Sequence, residues 1–187
     1  MWKRRRTAAT AENPETPDDT RALRDFVASL GLPPVDSIRD LIPFVKQYTG
    51  RPITLIPVTD RSALPESLDA ASPCGLWLAT DTTDYIFYDA TTSVAHQDII
   101  IGHELGHILR RHHTVDGDIL AGVGTLGGLL PDMTPDLIRM LVGRTRYAEP
   151  DEAEAETIGS LLMEHVHVSR SAHQDDPISR TLLRRPR

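Results

Sequence analysis

The chain has 187 residues and a formal net charge of −7, and these two properties already narrow its class. The length corresponds to one domain of about 150 residues with extra chain at its ends. Its 40% hydrophobic and 25% charged residues are typical of a soluble globular protein, and the acidic excess disfavours chain-wide nucleic-acid binding. We predict a single α+β domain over residues 19–168 between two flexible tails, 1–18 and 169–187.

The cysteine count and the hydropathy pattern indicate where the protein acts. Cys74 is the only cysteine, so no intramolecular disulfide can form, which fits a reducing cytosol. No apolar run reaches the roughly 18 residues of a membrane helix, and no apolar segment follows the basic start Lys3–Arg6. We therefore expect a cytoplasmic protein that contacts no membrane.

Periodicity and stop signals predict two helices and then three short strands in the first half of the chain. The helical segments are 19–30 and 36–48, and the β-rich runs are 53–56, 75–79 and 85–88. Pro43 indicates that the second helix is kinked or begins again there. The loop between the last two runs is typical of a hairpin, so the expected sheet is small and mostly antiparallel.

The second half of the chain is predicted to be helical. An N-cap cluster at Thr91–Ser93 precedes the most apolar helix, over 94–113. A glycine-rich stretch separates that helix from another over 134–145. The last helix is predicted over 151–168, where Asp151 and Glu154 have the spacing of a capping box.

The long apolar helix contains His103-Glu104-Leu105-Gly106-His107, the H-E-x-x-H pattern of zinc peptidases. An α-helix advances about 100° per residue, so the two histidines lie one turn apart and about 40° apart around the axis. Both rings can therefore bind a single ion. His103 and His107 are predicted metal ligands, and Glu104 is the predicted catalytic base that holds and deprotonates a water molecule.

Two glycines flank this histidine pair, one turn apart. Because Gly102 and Gly106 lack side chains, they would let another backbone approach the helix closely. Glycine lowers helix stability, so close packing is the reason we expect for them. Ala153 and Ala155 of the last helix are small enough to pack there.

A catalytic zinc site needs three protein ligands and one open position. His113 has the spacing of the third histidine in the metzincin signature, but Arg110 replaces the glycine at which that helix must turn. We therefore interpret His112 and His113 as a polar helix end, where imidazoles lie near the last backbone carbonyls.

The acidic opening of the last helix supplies the other candidates for the third ligand. Glu152 is the ligand we favour, with Glu154 and Glu156 as alternatives. Glu152 and Glu156 are one turn apart, so one can bind metal while the other accepts a hydrogen bond from a ligand histidine. Acidic residues also stabilise the first turn of any helix, an explanation that needs no metal.

Two blocks of the sequence resemble the ImmA/IrrE family of bacterial metallopeptidases. The first is Ile-Ile-Gly-His103-Glu104-Leu-Gly-His107-Ile-Leu. The second begins at Glu152 and ends at Met163, and it is similar to the family pattern E-x-E-A-N-x-F-A-x-x-L-L-M-P, whose first glutamate falls on Glu152. This chain has Glu156, Ile158 and Gly159 where that pattern has Asn, Phe and Ala.

The resemblance implies a zincin-like fold and a cytoplasmic, Zn²⁺-dependent endopeptidase that cleaves a helix-turn-helix transcriptional repressor. It also implies that His103, His107 and Glu152 are the zinc ligands. No helix-turn-helix is readable in this sequence, so we expect the DNA-binding partner to be a separate protein and expect no direct contact with nucleic acid.

Three expectations remain open for the substrate and for the alternative function. The strand 85–88 is a candidate sheet edge for an extended peptide. His165, His167 and Tyr147 are candidate donors to the oxyanion of the reaction. The alternative function is a non-catalytic metal-binding or regulatory module whose basic tails contact a partner or nucleic acid. The intact Glu104 favours catalysis, because a structural metal site does not need it.

Overall fold

A computed structural model describes residues 17–59, 75–79, 82–112 and 147–175. The helix predicted over 134–145 lies outside these described residues, as do the glycine-rich stretch, Cys74 and His113. The described part contains four α-helices and a three-stranded sheet, which confirms the predicted α+β class.

The first helices begin and end close to the predicted positions. Helix α1 spans Pro17–Ser29, a short 3₁₀ helix spans Ile38–Leu41, and α2 spans Ile42–Thr49. Pro43 lies in the first turn of α2, where its missing N–H would have had no helical partner, so the helix begins again there. Gly50 ends α2 with a left-handed φ of 73°, a conformation that glycine adopts without steric cost.

The sheet is mixed, and the prediction of a mostly antiparallel sheet was wrong. Strands β1 (Ile53–Val58), β2 (Gly75–Ala79) and β3 (Asp84–Asp89) lie in the order β1-β3-β2. The hairpin pair β2 and β3 is antiparallel, as predicted, whereas β1 is parallel to β3. Parallel neighbours need a long connection. The chain between β1 and β3 is long enough because it includes β2, which pairs with the other edge of β3.

The expectation that residues 85–88 form a sheet edge was also wrong. They belong to β3, the central strand, whose two edges are already paired. Ile86, Phe87 and Tyr88 are all buried, and such a continuous buried run is typical of a strand covered on both faces. Within the described residues, β1 and β2 are the edge strands.

The two long helices are α3 (Val94–Arg110) and α4 (Glu149–Asp175). The Ser93 hydroxyl caps α3 by accepting a hydrogen bond from the His96 N–H, which confirms the predicted N-cap. Helix α4 begins before Asp151 and ends beyond residue 168. Asp151 is therefore not an N-cap, and the predicted capping box was wrong. Neither these helices nor the others in the described ranges are long and apolar enough to cross a membrane.

Helix α3 crosses α4 at small residues, and of the two alanines predicted there Ala155 lies against Gly106, whereas Gly159 takes the place expected for Ala153. A Cβ atom added at Gly106 would lie 2.9 Å from Ala155 Cα, and one at Gly102 would lie 3.7 Å from Gly159 Cα. Helix α3 also contacts β2 and β3, and every residue from Ile100 to Leu109 is buried. The H-E-x-x-H segment therefore lies between the sheet and α4.

The crossing predicts that two Gly→Ala substitutions on α3 change the stability of the protein differently. In Gly106→Ala the new methyl group would lie 2.7 Å from the Ala155 carbonyl oxygen, so α4 must shift. We expect the free energy of unfolding to fall by about 1–3 kcal/mol. In Gly102→Ala the nearest α4 backbone atom is at 3.5 Å, an ordinary contact. Alanine also has a better helix propensity than glycine. The free energy of unfolding should therefore stay unchanged or rise by up to about 1 kcal/mol.

Urea denaturation of the chelator-treated proteins measures both changes. Equal losses of stability in the two variants would contradict the close approach at Gly106.

Candidate metal centre

Side chains from α3 and α4 bring three donor atoms to one position. His103 Nε2 and His107 Nε2 are 3.0 Å apart, and Glu152 Oε2 lies 3.3 Å from the first and 3.8 Å from the second. Tetrahedral ligands at about 2.0–2.1 Å from zinc are about 3.3 Å from one another. The three separations bracket that value, so these three residues form a triad that can hold a metal ion.

The alternative third ligands do not join this triad, which is the one such cluster among the described residues. Glu154 is bound by Arg110, and Glu156 is exposed on α4. The expectation that the second glutamate accepts a hydrogen bond from a ligand histidine was wrong. His107 Nδ1 contacts His112, and His103 Nδ1 has no hydrogen-bond partner among the described residues.

The protonation states of the triad suit a cation. Burial raises the pKa of Glu152, but its hydrogen bonds with His103 and His107 outweigh burial and lower the pKa to about 2. Burial, assisted by the charges of His103 and His112, lowers the pKa of His107. Glu152 is therefore an anion and His107 is neutral, which are the forms that bind metal.

His103 responds differently because it faces more carboxylates. Burial lowers the pKa of His103, but its hydrogen bond with Glu152 and the nearby charges, Glu104 first among them, raise it overall. A proton and a metal ion therefore compete for the same Nε2 atom, and metal binding here releases a proton.

Glu104 lies beside the triad in a buried position between α3 and β2. The main-chain N–H of Trp77 donates a hydrogen bond to its carboxylate, and its Oε2 has no hydrogen-bond partner among the described residues. Burial raises the pKa of Glu104 to about 7, with a further contribution from Glu152. At neutral pH the carboxylate can therefore both accept and release a proton.

Gly75 is a residue at this site that the sequence reasoning missed. A Cβ atom at this first position of β2 would be too close to the Ile100 side chain and would lie 2.7 Å from Glu104 Oε1, so a larger residue would displace one of these side chains. Its one weak signal in the sequence is that a glycine begins a predicted strand.

Of the three predicted oxyanion donors, Tyr147 lies at the site. Its ring stacks on His107, with centroids 3.8 Å apart and planes inclined by 21°. Its buried hydroxyl has no hydrogen-bond partner among the described residues. Burial, followed by the charge of Glu104, raises its pKa, so the hydroxyl keeps its proton. His165 Nε2 instead lies 2.8 Å from the Pro33 carbonyl oxygen, and His167 is exposed.

His112 is buried against the metal centre, although the sequence reasoning placed it at a polar helix end. Its Nδ1 lies 3.0 Å from His107 Nδ1. Helix α3 ends at Arg110, and Arg111 turns the chain with φ 54° and ψ 43°. No signal in the sequence indicates a left-handed arginine, because glycine or asparagine normally occupies such a position.

Comparisons with protein-family models, with curated proteins and with solved structures find no match to this chain. The resemblance to the ImmA/IrrE family therefore stays a prediction made from two sequence blocks, and so does the zincin-like fold. The structure itself establishes the α+β class, the mixed three-stranded sheet and the triad on α3 and α4.

The triad predicts different zinc affinities for two glutamate variants of α4. Glu152→Ala removes an atom that binds the metal directly. Loss of a residue that only hydrogen-bonds to a metal ligand weakens metal binding about 10- to 100-fold, so we expect a larger loss of zinc affinity here. Glu156→Ala is the matched control. Its exposed carboxylate acts on His103 only through its charge, so affinity should change only slightly. Competition with a chromogenic chelator measures both values, and a larger loss in Glu156→Ala would contradict the assignment of Glu152.

Proposed function

We propose that this chain is a cytoplasmic, zinc-dependent endopeptidase. The observation that carries the proposal is the convergence of His103, His107 and Glu152 on one position, with the buried carboxylate of Glu104 beside them. Structural zinc sites are closed by four protein ligands and need no neighbouring base. Three ligands and an adjacent carboxylate are instead the composition of a hydrolytic site.

The residues of the site have separate roles in this proposal. The triad would hold zinc, which lowers the pKa of a water molecule toward 7 and polarises the carbonyl of a bound peptide. Glu104 takes a proton from the attacking water and delivers it to the leaving amine nitrogen. The hydrogen bond from the Trp77 N–H orients the Glu104 carboxylate for both proton transfers, and the missing side chain of Gly75 leaves room for it.

Tyr147 is the proposed donor to the oxyanion that forms on the scissile carbonyl. It lies against His107, its hydroxyl stays protonated, and that hydroxyl has no hydrogen-bond partner among the described residues. A buried donor that is already oriented stabilises developing negative charge without reorganisation.

Strand β2 is the edge along which we propose that the peptide lies. It is an edge of the described sheet, and its Trp77 N–H reaches Glu104, so the strand passes beside the catalytic carboxylate. An extended peptide that pairs with β2 would therefore bring its main chain to the metal centre. This replaces the expectation that β3 presents the edge.

The proposed substrate is a helix-turn-helix repressor, as the family resemblance implies. The two sequence blocks around His103 and Glu152 that resemble the family support this choice of substrate. A helix-turn-helix protein encoded in the neighbouring reading frame is the first substrate to test, with casein as a general one.

Glu104→Gln should separate catalysis from metal binding. The amide keeps the size of the side chain but cannot accept the proton, so we expect cleavage of the neighbouring helix-turn-helix protein to fall about 10²- to 10⁴-fold. Bound zinc should remain, because Glu104 is not in the triad. Gel assays of cleavage and elemental analysis of the same samples measure the two properties.

Glu164→Gln is the control, since Glu164 is exposed on α4. It should cleave like the wild type. Zinc-loaded wild type that cleaves neither substrate would contradict the enzyme and favour the non-catalytic module with basic tails.

Tyr147→Phe should lower kcat about 10²- to 10³-fold, because one donor to the oxyanion is lost. KM and the zinc affinity should change little, since the ring that stacks on His107 remains. Steady-state kinetics with a peptide from the cleaved region measure kcat and KM. Tyr48→Phe is the control, because Tyr48 is half exposed on α2. An unchanged kcat in Tyr147→Phe would rule out the proposed donor.

A further inference from the structure

A line of polar contacts leads from the back of His107 to the protein surface. His107 Nδ1 lies 3.0 Å from His112 Nδ1, and His112 Nε2 lies 3.4 Å from Glu154 Oε2. The same carboxylate oxygen accepts a hydrogen bond from Arg110 Nε at 2.7 Å. These contacts join the end of α3 to the first turns of α4 on the side away from the triad.

One arrangement of protons satisfies every contact in this line. A neutral imidazole carries a single N–H. When His107 Nε2 binds an ion, its proton is on Nδ1 and is donated to His112 Nδ1. The proton of His112 is then on Nε2, where it is donated to the Glu154 carboxylate. Arg110 completes the line with a charged donor.

We propose that His112 is a positioning residue that fixes the ring orientation and the tautomer of His107, and that the Arg110–Glu154 ion pair orients His112 in turn. The inference rests on the proposed function, because it takes His107 as a zinc ligand. Tyr147 already covers one face of the His107 ring, so His112 supplies the contact within the ring plane. A histidine ligand held in this way is more basic and loses less rotational freedom on binding metal.

The backbone at the end of α3 supports this role independently. Arg111 is the one non-glycine residue with positive φ among the described residues. A left-handed conformation costs a residue with a side chain about 1–2 kcal/mol. That turn brings the His112 N–H within 3.1 Å of the His107 carbonyl oxygen and places the His112 ring in the interior. Backbone strain of this kind is concentrated at functional sites.

The ion pair contributes more to orientation than to stability. The side chains of Arg110 and Glu154 are each about one-third exposed, at 37% and 34%. Such exposed pairs stabilise a fold by only about 0–1 kcal/mol. The Arg110 guanidinium also lies 5.3 Å from the centre of the Phe26 ring, which restricts it against α1. Arg110 is itself held by Phe26, so it can hold the Glu154 carboxylate in place opposite His112.

The test compares zinc dissociation constants of the full-length chain and three variants, each measured by chelator competition. His112→Leu removes the acceptor for His107 Nδ1–H and should weaken zinc binding about 10- to 100-fold. In His112→Asn the amide oxygen replaces Nδ1 as the acceptor, so most of the affinity should return. His165→Leu is the matched control, because His165 is a partly buried histidine that lies more than three turns after Glu152 on α4 and contacts the Pro33 carbonyl oxygen. It should lose stability without losing zinc affinity.

Two further measurements separate positioning from a merely structural role. Urea denaturation of the metal-free variants reports their stability, and a long-range ¹H–¹⁵N spectrum of the zinc-loaded protein reports the tautomers. We expect His112 to carry its proton on Nε2 and to have an unprotonated Nδ1. Unchanged zinc affinity in His112→Leu, no rescue in His112→Asn, or a proton on His112 Nδ1 would each overturn the inference while the proposed function stands. A wild-type protein that binds no zinc would overturn both.

Discussion

The close crossing of α3 and α4 is the constraint on which the rest of the site depends. Glu152, Ala155 and Gly159 follow the i, i+3, i+7 spacing of one helix face. Ala155 lies against Gly106, and Gly159 lies against Gly102, so this face of α4 is turned toward α3. Glu152 consequently lies one turn before the contact at Gly106, where its carboxylate reaches both imidazoles. A larger residue at Gly106 would separate the two halves of the triad.

Helix α3 also carries a buried group that a core selected for stability alone would exclude. Glu104 is buried in α3, and one of its carboxylate oxygens has no hydrogen-bond partner among the described residues. Burying a carboxylate with one unsatisfied oxygen is costly, and an apolar residue of similar size would cost less. The position of Glu104 beside two histidines is therefore better explained by chemistry than by packing. The left-handed Arg111 is a second local cost, at the end of the same helix, and it brings His112 to His107.

Features that depend on neighbours in the chain were predictable. The H-E-x-x-H spacing, the Ser93 cap, the new helix start at Pro43 and the β2–β3 hairpin each follow from local geometry. The parallel pairing of β1 with β3 was not predictable, because it depends on the path of a long connection. The role of Glu154 was missed for a similar reason. Its sequence neighbours suggested a capping box, but its partner, Arg110, lies on another helix.

The sequence by itself determined the donor types, the one-turn spacing of His103 and His107, and the small residues that allow close packing. These properties follow from helix periodicity and side-chain size, which act within a few residues. Tertiary structure alone decided which of three glutamates faces the histidines, which strand is central, and that His112 folds back onto His107. Each of these depends on how separate segments meet, and the free energy of burying their shared surface is not encoded in any one segment.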